Sequence, residues 1–184
     1  MTKFGIDPGH NVNHDGCANG VRKSENQLIM EVSSKVISKL KALGHEVVNC
    51  LPASAHSMGN SLRQRTNKAN HHNCDVFVSI HFNAFGKGAN GTEVLYISNT
   101  GKSIAVPVVK EIAKLGFRDR GVKYRNNLHV LKATRMPAIL IECCFCDNWT
   151  DMNRYDAEKM ADAIVKGLTD KTLDSSSQLC PPCA

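Results

Sequence analysis

Two histidines and two glutamates in this sequence stand where they could act together. His10 closes the run Asp7-Pro8-Gly9-His10. His81 follows the apolar run Val76–Ile80, and Glu142 follows another, Ala138–Ile141. Continuous, β-rich apolar runs of that length read as strands buried on both faces. Lys3–Asp7 reads as a further short strand, cut off by Pro8-Gly9. His10, His81 and Glu142 then lie just past the carboxyl ends of three strands, where open α/β sheets bind their ligands. Two imidazoles and carboxylates brought to one cleft suit a metal ion. Zinc favours nitrogen, sulfur and carboxylate oxygen, and a catalytic zinc takes three protein ligands and keeps a fourth position for water. Glu25 supplies a natural third ligand, because it stands in the first turn of a helix soon after the loop from His10, where the helix dipole favours a carboxylate.

Each residue taken singly has a plainer reading. His10 is then a turn histidine after Pro-Gly, His81 a histidine capping a strand, and Glu25 an ordinary first-turn charge. Glu142 resists this treatment, since a carboxylate ending an apolar strand is costly to bury unless it is paired or functional. The joint pattern outweighs the separate ones.

The elements that must position these side chains are legible from periodicity. Leu28, Val32, Val36, Leu40 and Leu43 recur at helical spacing, which predicts a helix over 24–43 with Ser24 as N-cap and Gly44 just past its end. Strands are expected over 46–50 and 92–97, the latter an edge strand by its alternation. Further helices are expected over 61–72, 103–115 and 157–168, and short extended pieces over 121–124 and 128–131. The alternation β-α-β-α-β with apolar central strands predicts an α/β fold, a sheet sandwiched by helices. One domain is expected over 1–170. Residues 171–184, rich in Ser and Pro, break the pattern and read as a flexible tail or linker remnant.

Composition narrows the function. The 184 residues are 42% hydrophobic and 22% charged, ordinary for a soluble globular chain, and the formal net charge of +6 gives a mild attraction to acidic polymers. One Trp and no interleaving of aromatic with basic residues argue against a nucleic-acid partner. No apolar stretch approaches the ~18 residues of a membrane span, so no membrane insertion is expected. The N-terminus runs straight into a strand with no signal segment, so synthesis in the cytoplasm is expected. The eight cysteines of a chain of this size then read as reduced thiols, mostly small buried apolar groups. Cys143, Cys144 and Cys146 with Cys180 and Cys183 lack the paired spacing of a zinc ribbon. His71-His72-Asn73-Cys74 reads as a helix end, and His45-Glu46 begins a zinc-protease motif without its second histidine. The chain has no phosphate-binding Gly-Lys-Ser/Thr loop and no serine nucleophile elbow.

These motifs, in their order, resemble a known family. Asp7-Pro8-Gly9-His10, Glu25, Ser79-Ile80-His81-Phe82-Asn83-Ala84, Leu128-His129-Val130-Leu131-Lys132 and Met136 to Glu142 are similar to the type-3 zinc N-acetylmuramoyl-L-alanine amidases, over about residues 3–169. The segment Glu142-Cys143-Cys144-Phe145-Cys146-Asp147-Asn148 resembles the phage endolysin form, with spore-cortex and autolytic amidases similar as well. The resemblance implies a single-domain, twisted, mostly parallel (mixed) sheet of about six strands flanked by helices. It implies that His10, Glu25 and His81 bind Zn2+ and that Glu142 is the catalytic carboxylate, taking a proton from water and delivering it to the leaving amine. The expected substrate is the amide between N-acetylmuramic acid and L-alanine in peptidoglycan, and the expected place of action the cell wall after release, as in host lysis. The tail would lead to a cell-wall-binding module. A zinc peptidase cutting within the stem peptide and an inactive cell-wall-binding module are the competing readings. One departure stands out: Cys143 and Cys144 occupy places where many members carry a small residue and then glycine. Asn83 reads as a turn-stabilising residue before a substrate contact.

Overall fold

The apolar runs do form the centre of a sheet. A computed structural model describes residues 1–86 and 88–170; the expected tail, with Cys180 and Cys183, lies outside the described residues. The strands are β1 (Lys3–Pro8), β2 (Glu46–Asn49), β3 (Val76–Asn83), β4 (Thr92–Tyr96), β5 (Asp119–Tyr124) and β6 (Ala138–Phe145). They make one six-stranded mixed sheet in the order β2-β1-β3-β6-β4-β5. All neighbours are parallel except β4 and β6, which run antiparallel.

The helices cover both faces: α1 (Glu25–Ala42), α2 (Met58–His71), α3 (Asn99–Ala113), α4 (His129–Lys132), α5 (Trp149–Arg154) and α6 (Ala157–Thr169). On one face α1, α3 and α6 pack over Phe4, Ile6, Val78, Ile80, Val94, Ile139 and Ile141. On the other, residues of α2 and α4 close over Phe77, Leu95, Ala138 and Leu140. The period-2 alternation thus sends Ile80 and Ile141 into the larger core while Ser79, His81, Leu140 and Glu142 face the α2/α4 side.

The first helix forms as its sequence requires. Leu28, Ile29, Val32, Val36 and Leu40 are fully buried, each contributing ~1.5–3 kcal/mol by leaving water. Ser24 and Gln27 form a reciprocal capping box at the start. At the end Gly44 takes φ 83°, with Gly44 N–H donating to Lys41 O and His45 N–H to Leu40 O, a paired closure that left-handed glycine permits.

Several expectations need correction. Residues 92–96 form an interior strand, not an edge: the half-exposed, charged β5 lies outside them, and β2 is the other edge. Residues 128–131 are not extended, since 129–132 make one helical turn. α2 begins at Met58 under the Ser57 cap, and α3 at Asn99 under Ser98. The β3 and β6 strands run on through His81 and Glu142, so these two residues lie inside strands and not past their ends. Polar residues there still pair their backbones, because Glu142 sits opposite His81 on one side and Glu93 on the other.

Candidate metal centre

Three ligand-type side chains converge above the ends of β1 and β3. Glu25 opens α1 and is almost wholly buried. Its Oε1 stands 3.3 Å from His10 Nε2 and 3.4 Å from His81 Nδ1. The three ligand atoms all lie within 4.8 Å of one another, and no other such cluster occurs among the described residues. The two rings meet edge to face, centroids 4.8 Å apart. Two ligands held ~2.0–2.1 Å from one tetrahedral ion stand about 3.3–3.4 Å apart. The two separations from Glu25 and the N, N, O donor set therefore fit zinc. Glu25 is fixed from behind, accepting from Ala18 N–H (3.0 Å) and Phe82 N–H (3.2 Å). Burial alone would raise its pKa, but the His10, His81 and Ala18 hydrogen bonds outweigh burial and hold the carboxyl well below the usual carboxylate range.

Glu142 stands opposite His81 in the β3–β6 register. The residue keeps partial exposure, yet its Oε2 is buried and has no hydrogen-bond partner. Burial pushes the carboxyl up to about 8, and the nearby Glu25 and Glu93 carboxylates add to the rise. Glu93, its neighbour on β4, behaves oppositely. Burial there is outweighed by Arg120 Nε (2.7 Å) and Lys123 Nζ (2.6 Å), both on Glu93 Oε2, which lower the pKa. Sequence reasoning missed Glu93 and its two cations; a charge inside the alternating 92–97 run was the available signal.

Beside the ligands opens a cleft of about 520 Å³, lined by His10, Glu25 and His81, by the loop Asp15 to Ala18, and by Met58, Leu62 and Asn127 to Val130. Gly9 is what lets His81 stand so near, since a Cβ there would lie 2.2 Å from His81 Nε2. Arg65 of α2, also missed, lies fully buried under this loop, because nothing in a polar helix with Arg63 and Lys68 nearby marks one arginine as interior.

The other candidates resolve simply. Asn83 Oδ1 accepts from Ala84 N–H, a turn contact. His71 and His72 end α2, and His45 accepts from Thr2 N–H. The six described cysteines are free thiols, all buried except Cys17. Cys143 and Cys144 fit at the place of departure because the β3–β6 register shifts there and neither takes positive φ.

Residues 5–170 match the family described as N-acetylmuramoyl-L-alanine amidase. The chain belongs to that family. Among the amidase relatives, CwlM of Bacillus licheniformis is 34% identical over 91% of this chain and 66% of its own length. LytC of Bacillus subtilis is 32% identical over 91% of this chain and 34% of its own length. The endolysin of Bacillus phage SPP1 is 35% identical over 88% of this chain and 61% of its own. The chain thus spans about one third to two thirds of these curated relatives. Among solved amidase structures, the catalytic domain of CwlV from Bacillus (Paenibacillus) polymyxa superposes with a TM-score of 0.80 at 32% identity, covering 92% of this chain and 97% of that one. The catalytic domain of the CD27L endolysin gives 0.84 at 26% identity, covering 95% and 100%. The six-stranded mixed sheet flanked by helices is the amidase fold.

Proposed function

We propose that this chain hydrolyses the amide between the lactyl group of N-acetylmuramic acid and L-alanine in bacterial peptidoglycan, with zinc held by His10, Glu25 and His81. The observation that carries the reading is the pair of separations, 3.3 and 3.4 Å, from the two imidazole nitrogens to one Glu25 oxygen, which suit one tetrahedral ion. Zinc there would lower the pKa of a water towards ~7 and polarise the scissile carbonyl, both needed because an amide is a poor electrophile.

The chain's own residues do the rest. Glu142 accepts the proton of the attacking water and returns it to the leaving amine nitrogen. Its buried, unpartnered Oε2 and its pKa raised to about 8 suit a group that must hold and release a proton near neutrality. A carboxylate so used must not be a tight ligand, and Glu142 stands outside the three-ligand cluster. The cleft, within the ~300–1,000 Å³ of small-ligand sites, offers Met58, Leu62, Leu128 and Val130 as an apolar wall for the substrate. The site of action is the cell wall. Among the described residues, no helix is long and apolar enough to cross a membrane.

Metal content and wall lysis, measured together on the intact protein and on Glu142→Ala, test the proposal. The expected outcome is about one zinc per chain in both, with lysis lost only in the variant. The soluble products should be whole stem peptides with a new L-alanine amine. Truncated peptides would identify a peptidase instead, loss of zinc in the variant would make Glu142 a ligand, and no zinc with no lysis would leave a wall-binding module.

A further inference from the structure

Arg65 is the largest fully buried side chain described, and a buried charge persists only where its donors are met. A guanidinium has five N–H donors in a rigid fork. Here five acceptors surround it. Nε donates to Ser61 Oγ (3.1 Å), Nη1 to Asp7 Oδ1 (2.6 Å) and Pro8 O (2.5 Å), and Nη2 to Asp15 Oδ2 (2.9 Å) and to the carbonyl of His10. The acceptors are themselves held: Ser79 Oγ donates to Asp7 Oδ2 (2.7 Å) and Ser61 Oγ to Asp15 Oδ2 (2.9 Å).

Two of those five acceptors are backbone carbonyls, Pro8 O at the end of β1 and His10 O in the loop that follows. The carbonyl between them, Gly9 O, accepts from Asn11 Nδ2 (2.8 Å), and Gly9 N–H donates to Ile80 O (3.1 Å). The loop needs such restraint, because His10 and Asn11 both take left-handed φ, 52° and 67°, a region sparsely populated by residues other than glycine. That backbone is what turns His10 Nε2 towards Glu25 Oε1.

We infer that Arg65 is a positioning residue for the metal centre: it holds the backbone of His10 in the left-handed turn that aims its imidazole at Glu25, so that zinc affinity depends on Arg65. This rests on the metal reading proposed above. Metal sites usually orient a ligand histidine through its second ring nitrogen; here the restraint on His10 acts on its main chain.

The test is a thermodynamic cycle read by chelator competition and by the visible spectrum of the cobalt-substituted protein. Arg65→Lys keeps the charge but has three donors, so at least two acceptors lose their partner. Zinc affinity should fall ~10–100-fold, with a changed cobalt spectrum and a cooperative unfolding transition retained. In a His10→Ala background the same substitution should add no further loss. Unchanged affinity in folded Arg65→Lys, or an equal loss in the His10→Ala background, overturns the inference. Should Arg65→Lys fail to fold, Asp15→Asn and Ser61→Ala each disturb one acceptor of the fork. Weaker zinc binding and an altered cobalt spectrum in these support the inference, and wild-type values in both overturn it. If the unmodified protein binds no zinc, the metal reading falls and this inference falls with it.

Discussion

On the proposed zinc reading, replacing Gly9 by alanine should weaken metal binding in an otherwise folded protein. Gly9 does not occupy the left-handed region, so its backbone accepts alanine and the cost is steric. The added Cβ would lie 2.2 Å from His81 Nε2 and 2.3 Å from His81 Cε1, against ordinary contact from 3.4 Å. The ring must retreat by about 1.2 Å, or the loop bearing His10 must move by as much. The far nitrogen of that ring faces Glu25 at 3.4 Å. A displacement of this size is more than half the length of a zinc–nitrogen bond of ~2.0–2.1 Å, so His81 would no longer reach the proposed ion. Zinc affinity should drop about 100-fold, and wall lysis at limiting zinc should drop with it. Chelator competition measures the first and turbidity loss of a wall suspension the second. Gly59→Ala is the control: it adds a Cβ in α2 with nothing within 4 Å, and should raise stability by up to ~1 kcal/mol with zinc binding unchanged. Wild-type zinc affinity in Gly9→Ala would refute the steric argument.

Three further outcomes are expected. In the metal-free protein Glu142 should titrate near 8 by carboxyl carbon NMR, and zinc should pull that value down. Because its folded pKa is raised from 4.5, the metal-free protein should lose stability through this group as pH climbs from about 4.5 to about 8; a Glu142 already ionised at pH 6 without metal would contradict this. Gly167→Ala would place a Cβ 2.5 Å from Val108 Cα where α6 crosses α3, costing ~1–3 kcal/mol in urea unfolding and leaving zinc affinity alone; an unchanged midpoint would show the helices free to part. Glu158, paired with Lys35 and Lys39, has its pKa lowered to about 2. Its contribution is present above pH 4.5 and lost as pH falls through about 2. Being exposed, the cluster is worth under ~1 kcal/mol, so Glu158→Gln should shift stability only slightly at pH 7 and not at all in high salt.

The parts of this molecule written as local pattern were legible in its sequence. Ser24 and Gly44 bracket α1 because capping and left-handed closure are short-range chemistry. The runs 76–80 and 138–141 gave the two central strands because strands covered on both faces have few polar positions. Their ends were misjudged at His81, which lines the cleft, and at Glu142, because both backbones still pair in the sheet. Glu93 was read onto an edge because its burial depends on Arg120 and Lys123, more than two dozen residues away. Residues 128–131 looked extended because one helical turn is too short to show a period. α5 went unread for the same reason, although Asn148 caps it through the Thr150 and Asp151 N–H groups. Among the site residues, His10, Glu25 and His81 do meet. The arginine beneath them was invisible, since its acceptors at positions 7, 8, 10 and 15 lie far from α2 in the chain.

The strand order has a consequence for how the protein comes into being. β6 lies between β3 and β4, yet it is the last of the described strands in chain order. Until it threads into that gap, β3 lacks one partner and β4 lacks its antiparallel neighbour, so the sheet closes late and through contacts of long sequence separation, which slow folding. The three ligand-type residues lie in the first half of the chain, while Glu142 arrives on β6. A nascent chain emerging from the ribosome therefore carries the proposed metal ligands before it carries the proposed acid–base residue, and on that proposal the site is whole only once β6 has joined the sheet.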